Sequence, residues 1–550
     1  MASIPKGALL QKAANGVSYV YFPSYFYDKN ATTHNKEKQK RLYIGKVKDD
    51  VFIPNRKFLA NPGLGRKDAE RLTPDPVDLS KVRSQSIGAV ALLDGLAEKT
   101  GLKKDLETVY GDDIARQLLS LALFMAIDSE SALSLYPLWR RQFWTPSDAS
   151  LSSQYTSRLL AMIGRDEAQL TEFFALRAKR IRAKEFLSYD STKIISQAGD
   201  IHDVRWAPSK EGAFQREVTL AVLCGQKSRM PVMFRVLPGN VPDVKTLRDL
   251  LCRWDEIGIT KDAVAVMDRG YDSVDNIASL CESSLPFVIG QKTTPTFVRN
   301  CIEDNLQDFW SSRCYIGEHD LYAVTTKTTI QSSTGAKHDV WVHMYRSDKN
   351  TSLAAKALEK KLVQRERDWQ NGKPFGKAAE DSLFKKPKGT PGDGSRLERD
   401  FDAIDETLRY KGFFAFVSNS IRSPRAALEI YRGRDCVEKV FSSLQSGMDL
   451  SSAGVHHEDT LRGKLLVCLL GLTMVSALSY SMEKEAVVGG QTFPRLYQDF
   501  TLKELLGELM NIRIISAPGQ KSRISEITGR QKEIFARVGV PLPVEEVYAV

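Results

Sequence analysis

At residue 185 the spacing of apolar residues changes, and that change limits the fold more than any other feature of the chain. Before it, "GAVALLDGLAEKTGL", "DDIARQLLSLALFMAI" and "SSQYTSRLLAMIG" repeat apolar residues at helical intervals. After it, "EFLSYDSTKIIS", "REVTLAVLCG" and "MPVMFRVLPGN" read as three successive strands with polar, glycine-containing links, which predicts an antiparallel meander. A helix, "PDVKTLRDLLCRWDEIG", comes next. The short apolar strand "AVAVMD" then runs into "RGYDS" and a second helix, and "LPFVIG" is a further strand. This order predicts a mixed α/β sheet.

The sheet is interrupted before it is complete. Residues 291–411 hold strand-like runs ("DLYAVTTKTTIQ", "HDVWVHMYRS"), a charged helix ("AAKALEKKLVQRERDWQ") and a loop rich in Lys, Gly and Pro. The strand "GFFAFVSN" and the helix "YRGRDCVEKVFSSLQ" resume the core. At 550 residues several domains are expected. The reading is a β-rich, basic N-terminal domain over 1–85, a candidate DNA-binding domain, and a helical domain over 86–182 that is expected to bind the DNA ends. The core follows in two parts, 183–290 and 412–482, around an insertion domain at 291–411, and a helical C-terminal region occupies 483–550.

Composition narrows the function classes. Lys and Arg number 78 against 68 Asp and Glu, a net charge of +10, which leans mildly toward a polyanionic partner such as nucleic acid. Seven cysteines stand singly from Cys224 to Cys468 without a C-x-x-C, so a disulfide framework is not expected and a reducing compartment fits. His338 and His343 lie in a strand-like stretch and His456 and His457 are adjacent; neither pair has zinc-ligand spacing. The run "LLVCLLGLTMVSAL", 465–478, is shorter than the roughly 20 residues of a membrane span and predicts a buried helix.

The chemistry concentrates in three acids. Asp190 lies inside the first meander strand, and Asp268 ends "AVAVMD", where an open α/β sheet commonly builds its site. Each also has a bland explanation, since an acid after an apolar strand often caps a helix or forms a turn. Glu438 sits on the 431–445 helix, where Tyr431, Arg434, Glu438 and Gln445 fall at i, i+3, i+7 and i+14, within an arc of about 60° on one continuous helix. Three converging carboxylates repel one another and become stable anions if they share divalent cations; oxygen-only donors favour Mg²⁺ or Mn²⁺. Two such ions at one site suit phosphoryl transfer on nucleic acid.

The order Asp190, Asp268, Glu438 on this strand pattern resembles the DDE transposases, whose core is RNase H-like. The file Tyr431-x2-Arg434-x3-Glu438-x6 resembles the Tyr-Arg-Glu-Lys signature of the insertion-sequence-four superfamily of bacterial and archaeal transposases. "YDST" at 189, "LPGNVPDVKTL" at 237, "MDRGY" at 267, "YRGRDCVEKVFSSLQSGMDL" at 431 and "TLRGKLLVCLLGL" at 460 carry the resemblance, over about 86–481. It implies an RNase H-like mixed-sheet core with a β-containing insertion. It also implies cut-and-paste transposition: cleavage at terminal inverted repeats, a hairpin on the transposon end, and strand transfer to target DNA. Asp190, Asp268 and Glu438 would hold two Mg²⁺ or Mn²⁺ ions, and Tyr431 and Arg434 a phosphate of the non-transferred strand. The implied setting is a homodimer on transposon-end DNA in a prokaryotic cytoplasm, at the nucleoid, with no membrane partner.

One position departs from the pattern: Gln445 stands where the family has Lys. Lys439 points about 100° away from Glu438 on a helix and is a poor replacement. Other candidate DNA contacts are Arg269, next to Asp268, and a tryptophan of the insertion, Trp310 or Trp341, that stacks on a flipped base in relatives. Strand tryptophans are more often core. Asp272 reads as a helix cap. Arg434 and Glu438 also have the spacing of an ordinary helical ion pair. The competing functional readings are an RNase H-like nuclease without strand transfer and a domesticated DNA-binding derivative.

Overall fold

Alternating polar and apolar residues in the N-terminal strands produce a sheet with one dry face. The computed structural model describes residues 4–14, 16–27, 37–49, 51–60, 63, 81–128, 131–181, 184–208, 214–259, 262–374, 379–387, 389–447, 450, 452–517 and 521–545. The chain divides into two units, one of residues 1–84, 515–523 and 549–550, the other of 85–514 and 524–548. In the first, β1 (Leu9–Lys12), β2 (Ser18–Tyr27), β3 (Glu37–Lys48) and β4 (Val51–Pro54) form an antiparallel sheet in chain order. Val20, Phe22, Leu42 and Ile44 fill its inner face, with Phe52 and Phe58 packed against them; Phe58 belongs to α1 (Arg56–Ala60).

In the second unit the helical stretch folds as α2 (Gly88–Lys99), α3 (Leu102–Tyr110), α4 (Asp112–Ile127), α5 (Ser153–Arg165) and α6 (Glu167–Lys179). The sheet begins with β5 (Phe186–Ile195), β6 (Arg205–Pro208), β7 (Phe214–Gly225) and β8 (Pro231–Pro238). β7 pairs antiparallel with β5 along one edge; β6 and β8 share the other. The expected meander is thus present with one extra short strand. Helix α7 (Leu247–Glu256) leads to β9 (Val264–Met267), α8 (Val274–Glu282) and β10 (Phe287–Gln291). β9 runs parallel to both β5 and β10. Flanked on both sides and covered on both faces, it needs apolar residues at every position, and "VAVM" supplies them.

The segment read as an insertion domain contributes directly to this sheet. After α9 (Thr296–Asp304), the short β11 (Tyr315–Ile316) and the long hairpin β12 (Leu321–Gln331) and β13 (Lys337–Arg346) continue it, because β13 pairs with β14 (Phe413–Ser418), which pairs with β10. The described order is β11-β12-β13-β14-β10-β9-β5-β7-β6, with β8 beside β7. Among the described residues, α10 (Asp348–Gln370), α11 (Phe401–Arg409) and the 3₁₀ turn Ala379–Leu383 between them build a separate small core around Leu362, Leu383, Phe384 and Ile404.

Two helices of the resumed core, α12 (Pro424–Arg432) and α13 (Asp435–Gly447), precede α14 (Glu458–Met482). Ala427, Leu428 and Ile430 of α12 pack on one sheet face with Val264, Val266, Val288, Tyr345 and Phe416. The other face, with Ala265, Met267, Phe287 and Ile289, joins the main core. α14 is apolar nearly all round and packs on α5, α4 and α2. The helix that contains the apolar run is 25 residues long, enough by length and composition to cross a membrane, yet Leu461–Leu478 are mostly buried in protein. The C-terminal region departs from the helical expectation. It holds α15 (Leu502–Leu509) and α16 (Gly529–Val538), but also a hairpin of β15 (Ala486–Val488) and β16 (Gln491–Phe493), because "AVVGGQTF" alternates around a Gly–Gly turn.

His343 is a core residue on β13, with Nδ1 2.8 Å from Thr325 Oγ1. Burial pushes its pKa down to about 4. The folded state therefore keeps the ring neutral while the unfolded chain protonates it below about 6.5. Its contribution to stability is full above pH 6.5 and is lost as pH falls toward 4, by roughly 3 kcal/mol in all. Urea unfolding of His343→Gln at pH 7.5 and 4.5 is expected to vary less with pH than the parent; an equal dependence would remove His343 as the cause.

Candidate active site

Strand register alone sets Asp190 beside Asp268. Met267 of β9 pairs with Tyr189 of the parallel β5, so the next residue on each chain is an aspartate. Asp190 remains within β5, while Asp268 is the first residue past β9 and enters the 3₁₀ turn Arg269–Tyr271. They stand side by side at the C-terminal end of β9, where open α/β sheets place their chemistry, while β5 runs on past Asp190 to Ile195.

Glu438 arrives from a helix that is broken, not continuous. α12 starts at Pro424 behind a Ser423 cap and ends at Arg432. The chain then tightens: Arg434 N donates to Tyr431 O (3.1 Å), Cys436 N to Gly433 O (3.2 Å) and Val437 N to Arg434 O (3.0 Å). These three-residue closures separate Tyr431, at the end of α12, from Glu438, in the first turn of α13. The single polar file expected from a continuous helix is therefore split, and Arg434 stands at the junction. The cause is Gln226, in the turn after β7. Its Nε2 donates to Ser188 Oγ (3.0 Å) and to Ile430 O (2.9 Å), tying the end of α12 to β5. A Cβ at position 433 would lie 2.3 Å from Gln226 Oε1, so the approach requires Gly433.

The break aims Arg434 at all three acids. Its Nη1 donates to Asp190 Oδ2 (2.7 Å) and its Nη2 to Glu438 Oε1 (2.6 Å), with Asp268 Oδ1 at 3.9 Å from Nη2. Its side chain is 14% exposed, against 16% for Asp190, 35% for Asp268 and 55% for Glu438, so the cluster opens to solvent on the glutamate side. Burial opposes the Arg434 charge, but Asp268, Tyr431, Asp190 and Glu438 more than offset it and raise its pKa. The helical ion pair with Glu438 exists, as one arm of a wider network.

Tyr431 is bonded to the second acid. Its hydroxyl donates to Asp268 Oδ1 at 2.7 Å, and its ring stacks on Phe416 with centroids 4.1 Å apart. Burial, then the charge of Asp268, push its pKa well above the ordinary phenol value, so it remains a donor. Gly290 of β10 makes room for it: a Cβ there would stand 2.6 Å from the Tyr431 hydroxyl oxygen and 2.9 Å from Arg269 N. Beside this pair opens a cavity of about 610 Å³. Arg269, Lys292 and Arg432 line it with Thr293, Thr294 and the Phe413–Phe416 strand. Gln226, Gly290, Lys292 and Arg432 carry no signal in the sequence, because each gains its place through a contact with a distant strand or helix.

Among the described residues no three Asp, Glu, His or Cys side chains are grouped to hold an ion as they stand. Instead the three carboxylates close on a guanidinium, a cation standing in among donors that are all oxygen. That donor chemistry fits a hard divalent ion, with Asp190, Asp268 and Glu438 as the residues to hold it.

The remaining candidates spread out. Lys439 pairs with Asp435 at 2.9 Å on the exposed side of α13. Gln445 is in α13, but its side chain lies outside the described residues. Trp310 is exposed, with the Arg346 guanidinium 3.6 Å over its ring; Trp341 of β13 is half-buried, with Arg422 at 5.8 Å. Neither lines the cavity beside Asp268. Asp272 is not the cap of α8: Ser273 is, accepting from Asn276 N. Asp272 instead pairs with Lys292 Nζ at 3.1 Å and accepts from Lys292 N, fixing the chain where it leaves β10.

Residues 181–474 match the family model described as a transposase DDE domain. No curated protein matches the chain. Among solved structures, a cryo-EM structure of a piggyBac transposase synaptic complex with hairpin DNA is similar over 76% of this chain and 70% of that one, at 11% identity and a TM-score of 0.33. The family match spans all three acids and more than half of the 550 residues, and the chain therefore belongs to the DDE transposase family.

Proposed function

We propose that this chain is a cut-and-paste DNA transposase of the insertion-sequence-four type, with an RNase H-like core. Membership of the DDE family makes it an enzyme that cuts and transfers DNA, and DDE transposases generally use divalent metal ions. The observation that carries the finer reading is the convergence of Asp190, Asp268 and Glu438 on one guanidinium at the end of parallel strands, within the matched span.

In this reading Asp190, Asp268 and Glu438 hold two Mg²⁺ or Mn²⁺ ions, which when bound supply Lewis-acid activation of the attacking oxygen and charge stabilisation at the leaving one. Tyr431 donates to Asp268 and fixes its rotamer. Arg434, with Arg432, Arg269 and Lys292 around the adjacent cavity, offers guanidinium and ammonium donors to DNA phosphates. The partners are transposon ends with terminal inverted repeats, synapsed by a homodimer, and target DNA, in a prokaryotic cytoplasm. A hairpin on the transposon end is the proposed intermediate.

The test uses a DNA carrying the repeats that flank the reading frame. With Mg²⁺ the protein is expected to cut at the repeat end, give a hairpin on a denaturing gel, and join the released 3′ end to a plasmid. Cleavage with no joined product would favour a nuclease without strand transfer. No cleavage of any repeat-ended DNA would sink the proposal.

A further inference from the structure

The N-terminal sheet has a second face, opposite the one filled by Val20, Phe22, Leu42 and Ile44. Sixteen Lys and Arg stand against eight Asp and Glu in residues 1–84, so eight of the ten net positive charges of the chain lie in less than a sixth of its length. On the sheet itself, residues opposite one another across the strands share a face. Gln11, Tyr19 and Lys46 form one row and Leu9, Tyr21 and Tyr43 the next, with Arg41 and then Tyr25 beyond. A β-bulge at Val20/Tyr21 keeps these rows in register on the side away from Phe22 and Ile44.

This face is aromatic, open and braced. Tyr25 is 58% exposed and Tyr43 43%. Tyr43 makes ring contacts with Tyr19 (6.2 Å) and Tyr21 (5.7 Å). Gln11 Oε1 accepts from both Arg41 Nη1 (2.6 Å) and the Tyr43 hydroxyl (2.8 Å), and the Arg41 guanidinium lies 5.2 Å over Tyr21. Between Tyr19, Tyr43, Lys46 and Ile53 a concavity of about 540 Å³ opens, within the roughly 300–1,000 Å³ of small-ligand sites.

We infer that this tyrosine face binds single-stranded or locally unpaired DNA, with bases stacked on Tyr19 and Tyr43 and the backbone held by Arg41 and Lys46. Exposed rings amid basic residues give stacking platforms and phosphate contacts together. Duplex DNA cannot use them: its bases are already stacked, and four strands at about 4.8 Å spacing are broader than a major groove of about 12 Å once side chains are added. The site shares no residue with the acidic cluster and goes beyond the proposed reaction.

The test measures binding of the full chain by fluorescence anisotropy, without divalent cation so that cleavage does not enter. The probes are oligo-dT of about 20 nucleotides and a duplex of equal length. Tyr19→Ala with Tyr43→Ala is expected to weaken oligo-dT binding at least about tenfold and to leave duplex binding within about twofold. Tyr43→Phe, which keeps the ring, should bind oligo-dT as the parent does, and Lys46→Gln should lower the log affinity–log salt slope by about 0.7. The double variant leaves the Val20, Phe22, Leu42 and Ile44 core intact, which a melting curve checks. Unchanged oligo-dT affinity in the double variant overturns the inference, and so does an equal loss on duplex.

Discussion

Asp190→Asn and Asp268→Asn are each expected to reduce metal-dependent DNA cleavage on the order of 10³-fold or more with DNA binding nearly unchanged, and with a melting temperature nearly unchanged for Asp268→Asn and modestly lowered for Asp190→Asn. The physical reason is the separation of charge from shape. Asparagine keeps one carboxyl oxygen: at 268 it still accepts from the Tyr431 hydroxyl, and at 190 it still accepts from Arg434 Nη1, while its amide nitrogen replaces the oxygen that accepts from Ser191 N. The hydrogen-bonded scaffold therefore survives at 268 and loses one backbone bond at 190, while at both positions the anionic donor a divalent cation requires is lost. Alanine is the poorer probe, since at 190 it leaves Arg434 Nη1 without its acceptor and at 268 it leaves the Tyr431 hydroxyl without one, at a cost of about 1–3 kcal/mol each. A plasmid-cleavage time course in Mg²⁺ and a thermal melt check the pair together. Either variant cleaving at the parent rate would remove that residue from the site.

Gly290→Ala carries the second large effect, although residue 290 has no side chain to offer. The added methyl would meet the Tyr431 hydroxyl oxygen at 2.6 Å, its Cε2 at 3.0 Å and the backbone N of Arg269 at 2.9 Å. Backbone cannot give way cheaply, and the tyrosine ring is held against Phe416. The ring must therefore rotate and leave Asp268, or the turn after β9 must shift. A displacement of about 1 Å at a catalytic group can cost about 100-fold in rate, and overpacking costs about 1–3 kcal/mol of stability. Adding Tyr431→Phe removes the oxygen that clashes. Because the contact with Arg269 N at 2.9 Å remains, the double variant should recover only part of the melting temperature lost in Gly290→Ala, and no activity. Full activity of Gly290→Ala in the same cleavage assay would show that the cradle around Tyr431 is looser than its geometry.

The legible part of the site was what chain order and strand period carry. Asp190 and Asp268 could be singled out because each sits at a definable point of a strand, and a change from helical to alternating spacing marks those strands. The charge bias of the N-terminal segment was legible too, although which rings face solvent depends on a bulge at Val20/Tyr21 that composition does not reveal. Where the reading assumed continuity it failed. The 431–445 helix breaks because Gln226, some 200 residues earlier, reaches the carbonyl of Ile430. The insertion's hairpin extends the central sheet because β13 finds β14 across a 66-residue gap.

The sequence by itself determined the mixed α/β class, the strand positions of the two aspartates and the acid on the later helix, because local periodicity and strand ends are properties of neighbouring residues. Only the tertiary structure decided that Arg434 sits among all three acids, that Tyr431 is bonded to Asp268, and that glycine is needed at 290 and 433. Those facts arise from side chains and backbone brought within a few ångströms across long stretches of chain. A contact between distant residues is fixed by packing and hydrogen bonding in three dimensions, and leaves no period in the sequence to read.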